Sequence, residues 1–143
     1  MIDDILGKLD SAYTRRVLEE MIKINSVVGR QEELAYYLKE ELEAIGLDCE
    51  LHFVEPGRPN IYGRIMGESP GRRLNFNGHT DTVPTVEVWD KDPFTPFVQE
   101  GKMYGLGSCD MKGVIACILN MLRAVSNSGH TLRGGTLLLG GHR

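Results

Sequence analysis

The order of hydrophobic patterns along this 143-residue chain predicts an α/β fold, with a mixed, largely parallel sheet flanked by helices. Three observations carry that reading. Helical periodicity runs up to Ile45, and alternating, turn-bounded stretches follow from Asp48 to Asn77. An apolar helix from Met111 to about Val125 then leads into the short apolar run Thr136–Leu139, which fits a strand buried on both faces of a parallel sheet. Composition agrees, since 41% hydrophobic and 25% charged residues describe one soluble globular domain.

Taken in order, Ile2, Ile5, Leu6 and Leu9 recur at helical spacing in a short opening helix. Asp10 or Ser11 is placed to cap a second helix that reaches about Ile24, with Val17, Leu18, Met21 and Ile22 on one face. The third helix, roughly Gln31 to Ile45, carries Leu34, Leu38, Leu42 and Ile45 as a core stripe and its acidic residues as a solvated face. Gly46 suits the position just past its end, where positive φ is common. Strands are predicted over Asp48–Val54, with Leu51 and Phe53 on one side, and over Asn60–Met66, separated by the turn residues Pro56-Gly57-Arg58-Pro59. Gly67-Glu68-Ser69-Pro70-Gly71 predicts a hairpin into a third strand, Arg72–Asn77. Residues 85–99 lack a period and read as an ordered loop packed by Trp89, Phe94 and Phe97, and Lys102–Tyr104 reads as a short strand.

Charge and cysteine usage exclude several classes. A net charge of −4, with no Lys/Arg cluster on one helix face, argues against a nucleic-acid partner. No apolar run reaches the length of a membrane span. The acidic opening Met1-Ile2-Asp3-Asp4 predicts no signal peptide. Three cysteines, Cys49, Cys109 and Cys117, form no C-x-x-C pair and are odd in number, which points away from a disulfide framework and towards a cytoplasmic setting.

Chemistry concentrates in two stretches. Gly78-His79-Thr80-Asp81-Thr82-Val83-Pro84 lies where the third strand leaves the sheet, and residues two apart in an extended chain point to the same side. The Asp81 carboxylate can therefore orient the His79 imidazole, the usual arrangement behind a histidine ligand. About thirty residues on, Tyr104-Gly105-Leu106-Gly107-Ser108-Cys109-Asp110-Met111-Lys112-Gly113 places two glycines around a sharp turn and Asp110 just before the apolar helix. Together these supply one imidazole and one carboxylate from separate loops, which is a partial metal site. Asp110 has a plainer alternative as a helix cap, and the two roles are compatible. Gly105-x-Gly107-x-x-Asp110 is not a dinucleotide fingerprint, because its third position puts negative charge where pyrophosphate would lie. Cys109 reads as a small space-filler rather than a thiolate ligand, and Lys112 as a helix-start lysine rather than a base. His52, His130 and His142 have no neighbours at ligand spacing.

GHTDTVP followed by GLGSCDMKG resembles the zinc aminoacyl hydrolase and peptidase family of acetylornithine deacetylase, succinyl-diaminopimelate desuccinylase, aminoacylase and glutamate carboxypeptidase. The resemblance covers nearly the whole chain and implies the amino-terminal part of a zinc-aminopeptidase-like catalytic domain. It implies two divalent metals, zinc first with cobalt or manganese as alternatives. His79 would bind one metal, Asp110 would bridge both, and Asp81 would take the catalytic role of orienting His79. The implied reaction is hydrolysis of an amide bond in N-acyl amino acids or short peptides. Leu106 stands where the family often has Arg, and Val114 where it often has a second Gly. The family's Glu-Glu pair, a general base followed by a ligand, comes after a strand like 135–139, whereas here Gly140-Gly141-His142-Arg143 follows. The expectation is a single incomplete catalytic domain over residues 1–143, without that base, the completing ligands or the dimerisation domain, and inactive alone. The alternative is a non-catalytic remnant acting at most as an association module. On either reading the apolar helix 111–125 and strand 136–139 need cover, so self-association through exposed apolar surface is expected.

Overall fold

The computed structural model describes residues Met1–Gly141; the side chains of residues 137–139, and residues 142–143, lie outside that description. Helix α1 (Ile2–Leu6) is followed by α2 (Ser11–Lys23) and α3 (Glu32–Ala44). Strands β1 (Asp48–Glu55), β2 (Arg58–Met66) and β3 (Ser69–His79) come next, then a small hairpin of β4 (Phe97–Gln99) and β5 (Lys102–Tyr104). An irregular turn over Ser108–Lys112 leads into α4 (Gly113–Ser126), and β6 (Arg133–Gly141) closes the order.

Local signals account for the helix ends. Asp10 caps α2, its carboxylate accepting from the Ala12 and Tyr13 N–H groups, donors that the first helical turn otherwise leaves without partners. Past α3, Gly46 takes φ +88°, a conformation costly to any residue with a Cβ.

The larger sheet runs β1-β2-β6-β3. It is mixed, as expected, but its parallel share is smaller than the sequence predicts. β2 is antiparallel to both β1 and β6, and only β3 and β6 run parallel. A parallel pair needs a long crossover, and α4 supplies one between β3 and β6. The hairpin expected across residues 67–71 is not formed, because β6 lies between β2 and β3. That turn packs on the start of β6 instead, where the Gly67 and Glu68 N–H groups donate to the carbonyls of Gly134 and Leu132 at 3.0 and 3.1 Å. The Pro56-Gly57 turn does close a hairpin, with Glu55 opposite Arg58. Part of the stretch predicted as a loop is the strand β4, held to β5 with the Phe97 and Tyr104 rings stacked 5.1 Å apart. The burial expected on both faces of strand 136–139 falls on side chains outside the described set.

The core forms where α2, α3 and α4 meet the sheet. Val17, Met21, Leu34, Leu38, Leu42, Ile61, Leu119 and Leu122 are fully buried and contiguous, with Leu51, Ile65 and Phe76 packed against them. Helix α3 comes so close to β2 that a Cβ on Gly63 would lie 3.1 Å from Leu42 Cδ1. Helix α4 is less apolar all round than its sequence implies, since Val114 and Cys117 face solvent. Phe53 is exposed rather than paired with Leu51 over the core; it lies where the β1–β2 register shifts. Met66, Leu74, Val86 and Val88 are also exposed. Among the described residues no helix is long and apolar enough to cross a membrane.

Glu41 on α3 gathers the polar contacts between helices. It accepts both Arg16 guanidinium nitrogens at 2.8 and 3.1 Å, the Tyr13 hydroxyl at 2.9 Å and the Tyr37 hydroxyl at 3.3 Å. Burial pushes its carboxyl up, but the hydrogen bonds from Arg16 and Tyr13 outweigh that and hold it below its ordinary value of 4.5. A carboxylate depressed in the folded state contributes stability above its unfolded pKa and loses it as the pH falls. Thermal stability is therefore expected to drop between about pH 5 and pH 3, and Glu41→Gln to flatten that slope. Melting curves across the range check it; an unchanged slope in the variant would remove Glu41 from the account.

Candidate metal centre

Strand β3 and the turn before α4 bring the two sequence motifs to one sheet edge. His79 ends β3, its Cα opposite Gly141 at the carboxyl end of β6, and the Thr80 N–H donates to the Gly141 carbonyl at 2.7 Å. Beyond it, Thr82 is tied to the 25–28 loop, its N–H donating to Ser26 O at 2.9 Å and its carbonyl accepting from the Val28 N–H at 3.2 Å. Buried Asp81 is held between these two anchors.

The second motif is shaped by its glycines. Gly107 has φ +78°, and a Cβ there would meet Thr82 Cγ2 at 2.7 Å. The two motif loops thus touch where only a hydrogen fits. The Ser108–Lys112 turn follows, with Asp110 in extended conformation and the Asp110–Met111 peptide cis. Helix α4 starts at Gly113 with Lys112 at its N-cap position and no side-chain cap.

His79 and Asp110, 31 residues apart, meet at 2.9 Å between Nε2 and Oδ1. The other ring nitrogen, Nδ1, lies 2.9 Å from the main-chain carbonyl of Asp81 and 3.5 Å from its carboxylate. The shorter contact decides the ring's orientation, because 3.5 Å is too long for a good hydrogen bond. Asp81 thus holds His79 chiefly through its backbone, where the sequence pointed to its side chain. A carbonyl only accepts, so Nδ1 carries the hydrogen and Nε2 presents its lone pair. That lone pair faces a carboxylate oxygen, and two acceptors at this distance need a cation between them, a proton or a metal. Donors that share a tetrahedral zinc at about 2.0–2.2 Å stand about 3.3–3.6 Å apart, so this pair, closed to hydrogen-bond length, would open by about half an ångström to take the ion. The fit stops at two donors: among the described residues no group of three or more His, Cys, Asp or Glu side chains is arranged to hold an ion.

The donors line an open cleft of about 220 Å³ with Val83, Leu106 and Cys109. Cys109 is exposed there. His130 is engaged elsewhere, on Asp4 at 3.1 Å; His52 is exposed, and His142 lies outside the described residues. Two supports escaped sequence reasoning. Met111 Sδ accepts the His79 N–H at 3.2 Å and packs so tightly on Gly78 that a Cβ there would meet Met111 Cε at 2.7 Å. Lys112 is buried rather than solvated, and that burial pushes its ammonium down to about 8. A glycine directly before His79 was the available sign of close packing; nothing at position 112 signals burial.

The fold has counterparts among solved structures. Human carnosine dipeptidase 1 superposes with a TM-score of 0.84 over 99% of this chain and 34% of its own, at 19% identity. An M20 family metallo-carboxypeptidase from Sulfolobus solfataricus gives 0.81 over 92% and 30%, at 25% identity. The fold is thus that of metallopeptidase catalytic domains. Residues 75–141 match the model of Peptidase family M20/M25/M40. Over 124 residues the chain is 39% identical to a succinyl-diaminopimelate desuccinylase of Gluconacetobacter diazotrophicus, covering 84% of this chain and 32% of the relative. An acetylornithine deacetylase of Photorhabdus laumondii is 41% identical over 106 residues, 72% of this chain and 27% of that protein. Residues 75–141 are thus similar to the M20 family, and the chain matches the amino-terminal part of such catalytic domains. It spans under a third of the length of these curated relatives.

Proposed function

We propose that this chain is the amino-terminal, metal-gripping part of a hydrolase that cleaves the amide bond of N-acyl amino acids or short peptides. The 2.9 Å contact between His79 Nε2 and Asp110 Oδ1 carries the reading, since it presents two lone pairs to one cation. His79 and Asp110 would hold the ion, with Asp110 extending to a second, and zinc suits the donors best, ahead of cobalt and manganese. Bound metal supplies polarisation of the scissile carbonyl and an acidified water. This chain's own part is to fix the imidazole, through the Asp81 carbonyl and the Met111 sulfur, and to hold the Asp110 carboxylate against it. The general base and the remaining donors are assigned to sequence outside these residues. Relatives named for removing succinyl or acetyl groups support the substrate class. Three free cysteines support a cytoplasmic setting.

The test is hydrolysis by the metal-loaded protein expressed from its complete gene. Release of acetate from N-acetylornithine or succinate from N-succinyl-diaminopimelate is expected, and none from residues 1–143 alone. A complete, metal-loaded product inert on these and on dipeptides would favour the association module. A finer prediction concerns Asp81. Loss of a carboxylate behind a histidine ligand costs about 10–100-fold in metal affinity. Here the main-chain carbonyl survives substitution, so Asp81→Asn should fall near the lower end, about 10-fold. Cobalt titration of the two proteins measures it; a loss beyond the upper end would return the orienting role to the carboxylate.

A further inference from the structure

We propose that Lys112 is a positioning residue for the metal centre, tying the turn that presents Asp110 to the carbonyl end of α2. The inference rests on the metal-site reading but draws on different atoms. Lys112 is 1% exposed, and its ammonium donates to the carbonyls of Met21 and Ile24 at 2.8 and 2.9 Å. Met21 lies in the last turn of α2 and Ile24 at its C-cap, where carbonyl lone pairs and the helix dipole favour a cation. Its other end is fixed too: the Lys112 N–H donates to the Gly107 carbonyl at 2.9 Å. Between these anchors lie Ser108, Cys109 and Asp110. The stem fills the space beside Gly107, where a Cβ would come within 3.2 Å of Lys112 Cδ. Gly105 lies against the same helix end, with room for no Cβ beside Ile22, whose Cγ2 would be 2.5 Å away. The α2 terminus is thus a platform, and Lys112 is the bolt that fastens the Asp110 turn to it. Because the end of β3 fixes His79, and Met111 of the same turn rests against it, the Lys112 anchor sets the distance between the two donors.

Lys112→Met keeps the stem and removes the ammonium; Leu42→Val, in the core between α3 and β2, serves as the control for general destabilisation. Folding of each is checked by circular dichroism, and cobalt binding is followed through its visible d–d bands. Lys112→Met is expected to bind Co²⁺ at least about 10-fold more weakly and with an altered band pattern, while Leu42→Val keeps both affinity and spectrum. A folded Lys112→Met protein with the parent's affinity and spectrum would overturn the proposal. If Lys112→Met does not fold, Lys112→Gln is read in the same way. Should the parent protein take up no Co²⁺, the metal reading fails separately. Amide exchange then judges the anchor: faster exchange at 108–112 in Lys112→Met but not in Leu42→Val supports it, and unchanged protection there refutes it.

Discussion

His79→Ala is expected to lower the affinity of the protein for Co²⁺ or Zn²⁺ by more than about 100-fold. Outer partners of a metal-bound histidine are worth about 10–100-fold, and the ligand itself must exceed them. The geometry makes the loss hard to repair. The next imidazoles in sequence, His52 and His130, are exposed or bonded to Asp4. With the ring gone, the open cleft keeps no imidazole among its described lining residues, and catalytic zinc takes three protein ligands. Calorimetric titration of metal-free protein provides the measurement. Unchanged uptake by His79→Ala would mean that ions bind somewhere else, and the candidate centre would have to be abandoned.

The second large effect is on stability. Leu42→Ala should cost about 2–5 kcal/mol, as other buried Leu→Ala changes do, and lower the melting temperature by about 7–17 °C. Leu42 is fully buried, and its Cδ1 occupies the closest approach of α3 to β2, above Gly63. Gly63→Ala is the reciprocal test. A methyl there would stand 3.1 Å from Leu42 Cδ1 and 3.3 Å from Leu47 Cδ2, so the single change overpacks the interface. In the double variant the new methyl enters the space that Leu42 vacated. Its destabilisation should therefore be smaller than the sum of the two singles by at least about 0.5 kcal/mol. Additive melting data would show that the helix shifts to close the gap unaided.

Local chemistry was legible in the sequence, and register was not. Asp10, Gly46 and the α3 stripe each depend on neighbours within a few residues, so composition and spacing expose them. The hairpin at 67–71 misled because turn residues report that the chain bends, while the strand that fills the gap comes from some sixty residues further on. His79 and Asp110 stand out because few other roles put those residue types beside glycines at strand and helix ends. Their supports do not stand out. Asp81 acts mainly through a backbone atom that every residue carries, and Lys112 looks in sequence like any lysine opening a helix. Burial of a charge depends on what the distant α2 terminus offers, and that is known only once the chain is folded.

β2 and β6 already have partners on both flanks, so any newcomer to this sheet must settle beside β1 or β3. β3 is the longer invitation, eleven residues of which eight are exposed, with Phe76 turned to the core. A segment zipped alongside it in the same direction would finish next to the imidazole and bring its own terminal groups to that spot. Among the described residues, the outer flank of β3 and the His79–Asp110 pair therefore share one end of the sheet.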